Sequence, residues 1–203
     1  MSAARNILFL PGVSGDGGFW RGVGELLPAA WTRRYLDWPG LGRQPASPDV
    51  NGFADLLALA ESALDRPSAI VAQSMGGIIA TQLALKHPQL VTHLVLVATS
   101  GGMNVSAFGA ADWREDFVQA YPDTPAWVLN ERPDLGSQFA KVMTPTLLLW
   151  GGDDPLSPVA IGQHLAAAMP KAALQLIPAG RHSMGADLPQ LLAPRIEAHI
   201  EGA

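Results

Sequence analysis

The chain has 203 residues, 48% of them apolar and 15% charged, with a formal net charge of −5. That length and balance describe a compact globular protein, expected as a single domain, and exclude a disordered chain. The acidic balance offers no footprint for nucleic acid or an anionic membrane, and the absence of cysteine excludes disulfides, thiolate zinc sites and cysteine nucleophiles.

In chain order, the opening MSAARNILFLPGVSG has one Arg and then only four apolar residues before Pro11, too short a run for a secretory signal. No later run is long enough to span a bilayer, so a soluble cytoplasmic protein is expected. Short apolar runs ended by Gly, Pro or small residues predict strands at Ile7–Leu10, Arg34–Asp37, Ala69–Ala72, Leu94–Ala98, Thr146–Trp150 and Leu174–Ile177. Helical patterns fall between them, at Trp20–Leu27, Phe53–Leu64, Met75–Lys86, Pro158–Ala168 and Leu188–Ile200. Near-continuous apolar strands alternating with helices imply an α/β fold, a mostly parallel six-stranded sheet covered on both faces. Arg34–Asp37 and Leu174–Ile177 are the expected edges.

One interval breaks the alternation. About residues 100–143 no strand is evident, yet Phe108, Trp113, Phe117, Tyr121, Trp127 and Phe139 all fall there. An insertion of this length between strands commonly forms a lid or binding loop. Trp113, Phe117, Tyr121 and Trp127 are therefore expected to line a substrate pocket. The plainer alternative is a helical pair that merely packs on the body.

Ligands and catalytic groups of open α/β sheets gather at the carboxyl ends of the strands. Those ends carry Ser74 after the third strand, Asp153 and Asp154 after the fifth, and His182 after the sixth. Ser74 sits in AIVAQSMGGIIATQLALKHP, between a buried strand and a helix, with Ala72 and Gly76 two residues to either side. It could cap the helix, belong to an anion-binding loop, or be a nucleophile on a strained turn that demands small neighbours. In LLLWGGDDPLSP either Asp could orient a histidine, although Asp and Pro are also ordinary turn residues. His182 lies on the Gly-rich loop LIPAGRHSMGADLP, from which an imidazole can reach over Ser74. His87, His93, His164 and His199 read as solvated or core side chains in helices or at their ends. In LFLPGVSGDGGFW, glycines let the backbone come close, so Val13 N–H and Met75 N–H are candidate oxyanion donors. The same loop lacks the spacing of a dinucleotide or P-loop motif.

These segments together resemble the α/β-hydrolase superfamily over nearly the whole chain: LPGVSGDGGFW, YLDWPGLGRQP, VAQSMGGIIATQLALKHPQLVTHLVLVAT, LLLWGGDDPLSP and AGRHSMGADLP. The resemblance implies Ser74 as nucleophile, Asp154 rather than Asp153 as the acid, and His182 as the base. It implies acyl transfer to water through an acyl-enzyme, with no metal or cofactor. The chain departs from the family in four ways. Pro11–Gly12 stands where many members have His-Gly, as in type II acyl thioesterases, and the elbow begins with Ala72. The chain opens directly on the oxyanion-loop strand without the N-terminal hairpin, and the lid is short.

The leading expectation is a serine esterase for a small to medium apolar acyl ester. An acyl-thioester hydrolase is the alternative that Pro11–Gly12 suggests. A non-hydrolytic ligand receptor on the same fold, or a cofactor-free lyase, would use the same pocket differently.

Overall fold

The computed structural model describes residues 5–131 and 133–202. Residues 1–4, part of the opening stretch weighed as a secretory signal, lie outside the described residues, as do residue 132 within the 100–143 interval and residue 203. Six strands form one sheet: β1 Asn6–Leu10, β2 Thr32–Tyr35, β3 Ser68–Gln73, β4 Val91–Val97, β5 Thr146–Gly151 and β6 Ala172–Ile177. Their order is β2-β1-β3-β4-β5-β6, and every neighbouring pair is parallel.

The apolar runs are continuous because both faces of the central strands are covered. Leu8, Ile70, Leu94 and Leu148 pack toward α2 (Phe53–Ala63), α3 (Met75–Lys86) and α6 (Val159–Ala168). Their neighbours in sequence, Ile7, Ala69, Val95 and Leu147, point the other way. There they meet α1 (Arg21–Leu26) and the C-terminal helix, which supply Val23, Leu192, Ile196 and Ile200. Successive strand residues alternate in direction, so only two buried faces make both sets apolar. A fully buried Leu or Ile here contributes about 1.5–3 kcal/mol relative to exposure.

Several boundaries differ from the sequence expectation, β6 among them, which begins at Ala172 and not at Leu174, and three of the differences have a visible cause. The edge strand β2 occupies Thr32–Tyr35, two residues earlier than Arg34–Asp37. Leu36 N–H still donates to Phe9 O of β1 (3.0 Å), and from Asp37 the chain turns to close over the loop after β1: Trp38 N–H donates to Gly15 O (2.8 Å) and Gly17 N–H to Asp37 Oδ1 (2.8 Å). Arg33 is accommodated in the strand because its guanidinium donates to the carbonyls of Leu27, Pro28 and Trp31. Strand β4 starts at Val91, so His93 lies in a strand and not in a helix or at a helix end. The last helical pattern divides into α7 (Met184–Asp187) and α8 (Pro189–Glu201), with Pro189 at the first turn of α8, where a missing N–H is harmless.

The 100–143 interval holds two short helices, α4 (Arg114–Ala120) and α5 (Ala126–Asn130), with 3₁₀ turns at Ser106–Phe108 and Gly136–Lys141. Its two ends are tied together where Leu135 N–H donates to Gly102 O (2.7 Å), and it is anchored to the loop after β5 where Ala111 N–H donates to Pro155 O (2.9 Å). Leu135, Phe139 and Val128 are buried against the body. Among the described residues no helix is long and apolar enough to cross a membrane.

Candidate active site

Ser74 is the residue between β3 and α3, and its backbone sits at φ 51°, ψ −120°. Among the described residues only Ser74 and Ala98 combine a side chain with positive φ. Both lie at carboxyl ends of central strands. Such a conformation costs on the order of 1–3 kcal/mol and persists only where the surroundings enforce it. Here Ser74 N–H donates to Val97 O (3.0 Å), and Thr99 Oγ1–H donates to Ser74 O (2.6 Å). Gly76 is required for the same turn, because a Cβ there would run into the carbonyl oxygens of Pro11 and Leu10. Ala72, fully buried in β3, fits its place in the elbow.

His182 lies on the loop after β6. Its Nε2 is 3.0 Å from Ser74 Oγ, and its Nδ1 is 2.8 Å from Asp154 Oδ2. The carboxylate accepts from Nδ1–H, which leaves Nε2 free to accept from the serine hydroxyl. Asp154 is only 4% exposed, and its other oxygen accepts from the backbone N–H groups of Leu156 (2.9 Å) and Ser157 (3.1 Å). Those two bonds turn Oδ2 toward the imidazole. Asp153 is exposed on the wall of the adjoining cavity, and its N–H donates to Gly180 O. The histidine meets Asp154, not its neighbour.

Two tryptophans brace the loop after β1. Trp20 Nε1–H donates to Leu10 O and Trp38 Nε1–H to Pro11 O, each at 2.9 Å. Val13 and Met75 line the cavity beside Ser74. Among the described residues neither of their N–H groups donates a hydrogen bond within the protein.

The cavity has a volume of about 1490 Å³ and contains Ser74 and His182 on its wall. Trp113, Phe117 and Tyr121 also line it. Their spacing of four places them on one side of α4 and its ends, with ring centroids 5.4 and 4.9 Å apart along the row. Trp127 is not on the wall. Its ring packs edge-on against Phe53, 5.8 Å away, and Phe53 and Val128 face the cavity instead. Trp127 thus supports the wall from behind, a correction to the expected set of four.

Sequence reasoning assigned no role to Gln73 or Phe19. Gln73 is buried, donates from Nε2 to His182 O (3.2 Å), and packs over Gly12, where a Cβ would collide with its Oε1. A buried amide immediately before the elbow serine was the available signal. Phe19 lines the cavity from the 3₁₀ turn Gly17–Trp20, which Asp16 caps through Gly18 N–H. The other histidines are elsewhere. His87 pairs with Glu61 (2.8 Å), His164 stands edge-on to Phe108, and His93 packs on His199. Among the described residues no group of three or more His, Asp or Glu is arranged to hold a metal ion.

A model of the α/β hydrolase fold family matches residues 5–131, more than half of the chain. The chain belongs to the α/β hydrolase fold family. Among relatives of this α/β hydrolase, a pimeloyl-[acyl-carrier protein] methyl ester esterase from Chromobacterium violaceum is 26% identical, over 97% of this chain and 94% of that protein. A 2-hydroxy-6-oxononadienedioate/2-hydroxy-6-oxononatrienedioate hydrolase from Cupriavidus pinatubonensis is also 26% identical, over 82% of this chain and 75% of its own length. Among solved structures, a thermophilic esterase from Thermogutta terrifontis superimposes with a TM-score of 0.77 at 19% identity, covering 97% of this α/β hydrolase and 90% of that chain. At that identity the likeness concerns the fold alone.

Proposed function

We propose that this chain is a serine hydrolase that cleaves a carboxylic ester through an acyl-enzyme. The observation that carries the reading is the unbroken line Asp154 Oδ2–His182–Ser74 Oγ, at 2.8 and 3.0 Å, ending on a strained turn inside a large cavity. In this reading Ser74 gives its hydroxyl proton to His182 Nε2 while Oγ bonds to the ester carbonyl carbon. The Val13 and Met75 N–H groups hold the resulting oxyanion, and the Asp154 carboxylate stabilises the imidazolium. Collapse breaks the carbon–oxygen bond to the alcohol, which leaves with the proton from His182. Water then gives a proton to His182, its oxygen attacks the acyl carbon, and the acid departs as the proton returns to Ser74 Oγ.

The esterase name of the Chromobacterium violaceum relative supports ester cleavage as the reaction class. Trp113, Phe117 and Tyr121 form the apolar wall for the acyl substrate, since ligand pockets are mostly apolar with few polar anchors. The 100–143 interval acts as a lid on one catalytic domain. Thioester cleavage is the second reading, favoured by the Pro11–Gly12 start of the oxyanion loop. Fluorophosphonate labelling, located by peptide mass, tests the core of the proposal. Label on Ser74 together with release of acid from an ester panel is expected. An intact protein that takes no label and cleaves no ester of any size overturns it.

A further inference from the structure

The charge on the cavity wall bears on which leaving group the site accepts. The 100–143 interval carries six carboxylates against three cations, so more than half of the whole chain's excess of negative charge sits on about one fifth of its length. Besides Asp112, three exposed carboxylates, Asp116, Asp134 and Asp153, line the cavity that contains Ser74. They approach it from α4, from the segment before the Gly136–Lys141 turn, and from the loop after β5. Of the lining cations, Arg114 is already committed: its guanidinium donates to Asp112 Oδ1 (2.7 Å) and to Leu129 O (3.1 Å). Arg181, exposed and next to His182, makes no ion pair among the described residues. Among the described residues, one uncommitted guanidinium therefore faces three carboxylates on the wall of the cavity that contains Ser74.

Walls of one sign focus the field in a cleft and set the local concentration of charged substrates. Like-charge juxtaposition is also an effective way to reject a wrong partner. A thioester carried on a phosphopantetheine or coenzyme A arm brings several phosphate charges to the same mouth as its acyl group. An ester of an uncharged alcohol brings none.

We propose that this site selects substrates whose leaving group is uncharged or cationic and disfavours leaving groups that themselves bear phosphate. The inference rests on the serine-hydrolase reading and narrows it toward esters of neutral or cationic alcohols. It sets this chain apart from a hydrolase of coenzyme A thioesters, whose polyanionic leaving group a wall of Arg and Lys would attract.

The test holds acyl group and bond type constant and changes only the charge of the thiol. The full chain is assayed with butyryl-N-acetylcysteamine, butyrylthiocholine and butyryl-coenzyme A, following thiol release from about 20 mM to 500 mM salt. At low salt, kcat/KM for the neutral and cationic thioesters should exceed that for the coenzyme A thioester by about 10- to 100-fold. The gap should close as salt rises, because screening over about 10 Å or less removes interactions between exposed charges. The double variant Asp116→Asn/Asp134→Asn should raise the coenzyme A rate relative to the neutral one several-fold, and retained far-ultraviolet circular dichroism and melting temperature would show that it folds. Equal or preferred turnover of the coenzyme A thioester at low salt overturns the proposal, as does a ratio that neither salt nor the variant moves. Turnover of the neutral substrate without charge discrimination leaves the serine-hydrolase reading intact and removes only this selection. Absence of turnover on all three, with no label on Ser74, removes both.

Discussion

His182 and His93 stand at opposite ends of the same sheet, and the contrast between them separates the imidazole proposed to react from a packed one. At the carboxyl ends of the strands, His182 is half-buried, with a carboxylate on Nδ1 and a hydroxyl on Nε2. Near the amino end of β4, His93 is buried against His199, ring centroids 5.3 Å apart, with Nδ1 beside Thr92 Oγ1 (3.2 Å) and, among the described residues, no hydrogen-bond partner for Nε2. Desolvation pushes the His93 pKa down to about 4, with His199 and Arg5 adding repulsion. Burial without a counter-charge keeps an imidazole neutral. A carboxylate on one nitrogen and an open cavity on the other are what let an imidazole accept and return a proton.

The largest expected effect breaks the carboxyl-end site. Ser74→Ala removes the attacking atom but leaves the Val13 and Met75 N–H groups, so turnover of a good ester should fall by about 10⁶ with weak residual catalysis. Thermal stability should not decrease, because the strained turn is held for reaction and not for packing. Retention of most esterase activity in this variant would leave Ser74 as a helix cap. Next in size is the acid. Asp154→Asn should lower kcat by about 10⁴ by favouring the wrong imidazole tautomer, whereas Asp153→Asn should cost less than tenfold on an uncharged ester. A reversed order would exclude Asp154 as the acid.

The amino-end histidine predicts an effect on stability in place of rate. The folded-state pKa of His93 lies below the ordinary value near 6.5, so the unfolded chain binds its proton more readily. Its neutral form is fully tolerated above about pH 6.5, and stability is lost as the pH falls toward 4. Between pH 7 and pH 5 the loss should be about 2 kcal/mol, measured by urea unfolding. His93→Phe, which keeps a ring against His199, should lose measurably less over the same interval. An identical pH dependence in both proteins would show that the proton goes elsewhere.

The smallest effect sharpens how the His182 loop is held. Gln73→Met removes the donor to His182 O while keeping side-chain length, and a hydrogen bond of this kind is worth about 1 kcal/mol. A drop of roughly tenfold or less in kcat with KM little changed is expected, since the bond orients the base and touches no substrate. A change confined to KM would place Gln73 in substrate binding instead.

The sequence by itself determined the sheet, because two-sided burial demands uninterrupted apolar strands and that demand is local. It also placed Ser74, the Asp153–Asp154 pair and His182 at strand ends, because small residues and glycines mark where the backbone must turn tightly. Tertiary structure decided the rest. Which aspartate faces His182 depends on Leu156 and Ser157 N–H groups capturing one oxygen of Asp154, a matter of loop geometry that the motif register anticipated but residue type alone left open. The place of β2 depends on Arg33 finding carbonyls at Leu27, Pro28 and Trp31, and on Asp37 leaving the ladder to hold Gly17. Trp113, Phe117 and Tyr121 reach the cavity while Trp127 turns to Phe53, a division set by how α4 and α5 dock. His93 looks like any polar residue near a helix end until β4 pairs with β3 and α8 closes over it. Local apolar periodicity reports what must be buried, but not against what, and contacts between residues distant in sequence supply that second half.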